Sequence, residues 1–230
     1  MSKSKKNTID PEEIINKFGA DAVRLFILSD SPPEKDIQWS EEGIIASYKF
    51  IQKLWNLNSR ILEEIKLEHK NKNSEELKKL TNKFVDNVNN NLLNFSYNKI
   101  IANFYEIYSD LLKTLDQEYS KKELVDNYQK ILIVMSPVIP HFSNECLSIL
   151  NSSIEIEWPK VDKKLLIEEN IKFVIQINGK TRGIINTKRQ SSENDLIEMI
   201  KKDLSLSKYL KNQDIKRKIF IPNKLINIIL

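Results

Sequence analysis

Ser2-Lys3-Ser4 sets one ammonium between two hydroxyls at the head of the chain, and it is the only group in the sequence offered for transition-state work. Composition alone makes such a Lys/Ser-rich stretch a solvated tail, because its residues bury too little apolar surface to order themselves. A second set of cations has a spacing of its own. Asn178-Gly179-Lys180-Thr181-Arg182 places Lys180 and Arg182 beside a tight turn, and along Ile215 to Pro222 strand alternation gives Lys216 and Lys218 one face and Arg217 the other. Cations so placed suit the phosphates of a polyanion. The competing reading is a solvated edge strand protected by its lysines.

Other chemistries find little support. The four glycines, Gly19, Gly43, Gly179 and Gly183, form no phosphate-cradling loop. With His69 and His141 the only histidines and Cys146 the only cysteine, no cluster has metal-ligand spacing and no disulfide can form within the chain. Pro140-His141-Phe142 reads as a helix start whose histidine packs or caps, and Cys146 as a small buried apolar residue. Trp39, Trp55 and Trp158 read as core or staple residues. No apolar run approaches the ~18 residues of a membrane span. The basic start lacks a secretory apolar stretch, and Ser2 excludes myristoylation. A soluble cytoplasmic protein without a metal site is expected.

Length and charge add a division. The 230 residues, 40% of them apolar, suffice for two packed cores. Net charge is +4, but residues 171–230 hold 13 Lys/Arg against 5 Asp/Glu, a net of +8, while residues 1–170 are net −4. A strongly basic module behind a mildly acidic body is the electrostatic footprint of a nucleic-acid contact surface.

The elements that must position these cations follow from periodicity. Asp10-Pro11 with Glu13 starts a short helix, Gly19 stops it, and a second runs from Ala20 to Ser29, before Pro32-Pro33. Ser40 opens a long amphipathic helix with Ile44, Tyr48, Ile51, Trp55, Leu62 and Ile65 on one stripe, broken only by Asn58. After a polar connection around His69 to Ser74, Leu77, Leu80, Phe84 and Val88 mark another helix, which Asn89-Asn90-Asn91 is expected to bend or end. Ser96 is expected to cap a helix carrying Ile100, Phe104, Tyr108, Leu111 and Leu115. Ser120 and Glu123, at capping-box spacing, precede one carrying Leu124, Tyr128, Ile131, Leu132 and Met135. Pro137 and Pro140 then lead to a short helix with Phe142, Leu147 and Leu150. Four long apolar stripes imply a helical bundle, closed by Trp158-Pro159. Beyond residues 161–170, read as a linker, the period becomes alternating. Ile171, Phe173, Ile175 and Ile177 turn at Asn178-Gly179 into a returning strand with Ile184-Ile185. A helix with Leu196, Ile197 and Ile200 follows Ser192 and Asp195, and strands over residues 215–221 and 225–230 turn at Pro222-Asn223. The expected fold is mainly α with a small α+β domain: a bundle, then a β-β-α-β-β module.

Three segments in order carry a family resemblance. Met1-Ser2-Lys3-Ser4 resembles the Lys-Met-Ser-Lys-Ser signature loop of class I aminoacyl-tRNA synthetases without its first lysine, and Gly19-Ala20-Asp21-Ala22-Val23-Arg24 continues the likeness. This first segment alone leaves valyl, isoleucyl and methionyl enzymes open. Residues 31–40, Ser-Pro-Pro-Glu-Lys-Asp-Ile-Gln-Trp-Ser, and the terminal module are similar to leucyl-tRNA synthetases in particular. The resemblance implies that Ser2, Lys3 and Ser4 contact ATP, supplied as Mg-ATP, and that Lys3 stabilises charge as pyrophosphate leaves. A mobile lysine closing over a triphosphate has that capacity. It also implies that Lys180, Arg182, Lys216, Arg217 and Lys218 grip the outer corner of tRNA(Leu), whose convex surface offers phosphates and 2′-hydroxyls.

The expected organisation is a signature-loop remnant with stem-contact helices over 1–36, an anticodon-binding-type bundle over 37–160, a linker over 161–170 and a tRNA-binding domain over 171–230. The bundle is expected to brace the tRNA without reading the anticodon. The first half of the nucleotide-binding fold, with its His-x-Gly-His element, and the editing domain have no counterpart in the sequence. The chain is therefore expected to be the last part of a leucine–tRNA ligase, inactive alone, whose partner is the catalytic and editing part in cis or as a separate subunit. The alternative is a free-standing, non-catalytic tRNA-binding protein.

Overall fold

A computed structural model describes residues 9–30, 32, 34–67, 75–115, 120–150, 157–167, 170–189, 191–210 and 215–230. Two compact units divide at Leu166/Ile167.

In the first unit, α1 (Pro11–Phe18) begins where Asp10 accepts the Glu12 amide at 2.9 Å and ends at Gly19, whose φ of +84° lets the chain turn at once into α2 (Ala20–Asp30). Ser40 caps α3 (Glu41–Lys66) through the Gly43 amide. The buried face of α3 is Ile44, Phe50, Ile51, Leu54, Leu57 and Ile61, with Ser47 and Asn58, and so is rotated from the expected stripe. Trp55 sits at its border, edge-on to Phe142 at 5.0 Å, because α2, α5, α6 and α7 all pack on α3 and demand a wider apolar face than one 4-3 row. Asn58 does not interrupt this face: it accepts the buried Tyr128 hydroxyl at 3.0 Å.

The helix does not end at Asn89-Asn90-Asn91: α4 runs over Glu75–Leu93 and stops two residues beyond them. Packing on α5 (Tyr97–Thr114) and α6 (Lys121–Met135) overrides the weak propensity of asparagine. The amides also find partners outside their own backbone: Asn89 accepts the Trp158 indole N–H at 2.8 Å, and Asn91 donates to Asn103 at 2.8 Å. Ser96 makes no side-chain cap; its hydroxyl turns back to the Asn94 carbonyl, because Phe95 ahead of it has φ +51°. Ser120 does cap α6, through Glu123 N–H.

Asp21 and Arg24 of α2 hold the α6–α7 elbow. Asp21, buried, accepts the amides of His141 and Phe142 and sits 2.9 Å from His141 Nδ1, capping α7 (Pro140–Ile149) from another helix. Arg24 donates to the carbonyls of Pro137 and Val138 at 2.7 and 2.8 Å. Past Trp158, Val161 packs on the bundle core, Asp162 N–H donates to Asn82, and a 3-10 turn occupies Lys163–Leu166.

The second unit is a four-stranded mixed sheet in the order β2-β1-β4-β3, with β1 (Asn170–Ile177), β2 (Lys180–Lys188), β3 (Arg217–Ile221) and β4 (Leu225–Ile229). Asn178 and Gly179, at φ +50° and +74°, make the expected hairpin. β1 and β4 pair in parallel, so the crossover carries α8 (Glu193–Lys202) and a short α9 (Leu204–Ser207) that the alternation did not signal. One sheet face, with Phe173, Ile175, Ile185, Ile226 and Ile228, buries Leu196, Ile197, Ile200 and Leu206. Ser192 and Asp195 form a reciprocal capping box on α8.

Candidate nucleic-acid interface

The hairpin that carries Lys180 and Arg182 is fixed by β4. Gly179 N–H donates to Asn227 Oδ1 at 3.1 Å, and Leu230 N–H to Asn178 Oδ1 at 3.0 Å, so the turn is held at both central residues. Pairing then slips: Ile175 opposes Gly183 and Gln176 opposes Thr181, leaving Arg182 as a bulge. A bulge re-aims its side chain. The Arg182 guanidinium lies over the Tyr209 ring at 4.5 Å, with Lys208 Nζ 5.1 Å from the same centroid. Gly183 admits this arrangement, since a Cβ there would come within 3.0 Å of Leu206 Cδ2. Arg182 is thus stiffened against an aromatic plane while remaining exposed, a preordered cation.

On β3 the register separates the basic residues as alternation anticipates. Arg217 opposes Ile229, and Lys218 opposes Ile228 on the helix-covered side, where its Nζ is 3.3 Å from Glu193. That carboxylate competes for the charge of Lys218, so the three cations of this segment are not equivalent. Lys216 is exposed, with its N–H bonded to Ile229 O. The sheet face away from α8 carries Arg217 together with Ile184, Ile219 and Ile221, which are 60%, 38% and 42% exposed, and Lys172 and Lys188 share this face by register. Lys208, Tyr209, Lys172 and Lys188 escaped the sequence reading. Only the sum of charge over 171–230 signalled the three lysines, and nothing signalled Tyr209, since α9 and the register bring them into place.

A second cationic surface lies within the net-negative body. Between Glu42 and Glu63 no acidic residue occurs, and Lys49, Lys53 and Arg60 are all exposed on one face of α3. Totals by domain hid this stripe. Ser2, Lys3 and Ser4 lie outside the described residues. Among the described residues no three His, Cys, Asp or Glu side chains converge to hold a metal ion, and no helix is long and apolar enough to cross a membrane.

Comparison identifies the class to which a helical bundle followed by a cation-bearing α+β module belongs here. The family model for the anticodon-binding domain of tRNA ligases matches residues 74–200, and the chain belongs to that family. Residues 1–40 match the class I tRNA synthetases of the I, L, M and V group. In particular, the chain is similar along its whole length to leucine–tRNA ligases, at 40% identity in Orientia tsutsugamushi, 33% in Bartonella quintana and 31% in Petrotoga mobilis. It covers 27%, 28% and 30% of these relatives, little more than a quarter of their length. Among solved structures, the Agrobacterium radiobacter K84 agnB2 LeuRS, crystallised as a ternary complex with tRNA and LeuAMS, shares the fold. Its TM-score is 0.82 over all of this chain and 30% of that one, at 24% identity.

Proposed function

We propose that this chain is the tRNA-binding part of a leucine–tRNA ligase and grips tRNA(Leu) mainly through its basic module. The observation that carries this reading is the ordered cation set of Lys180, bulged Arg182 over Tyr209, and Arg217, in a module of net charge +8. Such a surface meets RNA phosphates and is driven by released counterions, so it positions the RNA without reading its sequence. Lys216 belongs to the same set, and Lys218 contributes less because Glu193 holds it. The α3 stripe of Lys49, Lys53 and Arg60 offers the bundle a bracing contact.

The rest of the reading rests on family likeness. Ser2, Lys3 and Ser4 would hold Mg-ATP, Lys3 would stabilise charge developing on the phosphates, and the partner would be the catalytic and editing part of the ligase in the cytoplasm. Gel-shift titrations of tRNA(Leu) at two salt concentrations test the RNA assignment. Removing the charge of Lys180, Arg182 or Arg217 should weaken binding to different tRNAs alike and flatten the salt slope by about one unit each. Residues 1–170 binding as tightly as the full chain would move the platform to the bundle.

A further inference from the structure

Phe95 ends α4 in a conformation that costs stability and leaves its ring in solvent. Ser96 N–H donates to Asn91 O at 2.8 Å and Phe95 N–H to Leu92 O at 3.1 Å, the two bonds of a Schellman stop with Phe95 at its left-handed position, φ +51°. Glycine takes this position at no steric cost, whereas a bulky residue crowds its Cβ against a carbonyl. Little is returned for the strain: Phe95 is 62% exposed and Leu93 79%, and among the described residues the Phe95 ring has one aromatic contact, edge-on to Tyr97 at 6.2 Å. Strain of this kind collects where function demands it.

The surroundings indicate what the ring meets. Asn89, Asn90, Asn91, Asn94 and Asn98 crowd the turn and Lys99 follows; the two nearest acids in the sequence are engaged by amides, Asp86 accepting from Asn90 at 3.2 Å and Glu106 from Asn103 at 3.0 Å. An exposed aromatic plane among amide side chains, with a lysine following it, is the chemistry that recognises an unpaired nucleobase. Leu93 and Phe95 are too isolated among amides to form the contiguous apolar core that a protein partner requires. We propose that Phe95, flanked by Leu93, is a stacking platform for an unpaired base of the bound RNA. The proposal rests on the tRNA-binding reading above, and it places a contact within the stretch matched by the anticodon-binding family.

Full-length Phe95→Gly and Phe95→Tyr chains, titrated with a tRNA(Leu) transcript at two salt concentrations and melted without RNA, test it. Phe95→Gly should raise the unfolding midpoint yet weaken binding about 5- to 100-fold with an unchanged salt slope, since stacking is not ionic. Phe95→Tyr should keep the affinity. Unaltered binding in Phe95→Gly, or a loss shared by Phe95→Tyr, would overturn the platform. The parent reading fails separately, if charge removal at Lys180, Arg182 and Arg217 leaves affinity and salt slope as they were.

Discussion

Cys146 lies at zero exposure, and burial pushes its thiol up to about 12. Burial also raises the neighbouring Tyr128 hydroxyl well above its ordinary value. Because the folded thiol keeps its proton to a higher pH than the unfolded one, stability is full below the unfolded value of about 9 and falls as pH rises toward about 12. Native protein at neutral pH should therefore resist a thiol-specific reagent that labels it rapidly in denaturant; equal labelling rates would show that the site opens. At Gly43 two effects oppose each other. Alanine gains about 1 kcal/mol of helix propensity, but its Cβ would stand 2.6 Å from Phe26 Cε2, and that ring is wedged edge-on against Trp39 at 5.2 Å. Overpacking costs about 1–3 kcal/mol, so Gly43→Ala should lower stability in chemical denaturation by about 1 kcal/mol.

At the scale of elements, the α6–α7 elbow depends on a helix more than a hundred residues earlier in the chain. Asp21→Ala strips two amides and a histidine of their acceptor in a buried place and should cost about 1–3 kcal/mol, whereas Asp21→Asn should recover part of it. Equal stability of wild type and Asp21→Ala in urea would remove the cross-helix cap from the account. In the module, the Ser192 hydroxyl and then the Ser192 amide lower the pKa of Asp195, and Ser205 with Leu206 does the same for Asp203. With folded values depressed, their stabilisation is present above the ordinary carboxylate pKa and disappears as pH falls through the folded one. Side-chain NMR titration should find both carboxyls among the last to protonate in the module, and Ser192→Ala should return Asp195 toward the ordinary range.

For the whole molecule, activity is a property of a longer polypeptide in the reading proposed here, since the chain spans little more than a quarter of its relatives. The purified chain should give no leucine-dependent pyrophosphate exchange above background. Added to the complementary catalytic part as a separate polypeptide, it should restore exchange, and Lys3→Ala should then abolish it at nearly unchanged ATP affinity, because a transition-state contact costs rate more than ground-state binding. Exchange by the chain alone, or restored exchange indifferent to Lys3→Ala, would sink that assignment.

Sequence by itself determined the bundle, the hairpin and the basic module, because each rests on a local rule. Helical period sets the stripes, Asn178-Gly179 selects a turn with positive φ, and net charge is a sum that needs no coordinates. Tertiary structure decided what depends on several neighbours at once. Packing carried α4 through Asn89-Asn90-Asn91 and rotated the buried face of α3. Its long-range contacts turned Asp21 and Arg24 from motif letters into caps for a distant elbow. A one-residue slip in pairing made Arg182 a bulge over Tyr209, and register gave Lys218 to Glu193 while leaving Arg217 on the open face. The physical reason is common to all of these: propensity and alternation act over a few residues, whereas burial, register and hydrogen-bond satisfaction are settled among segments far apart in the chain.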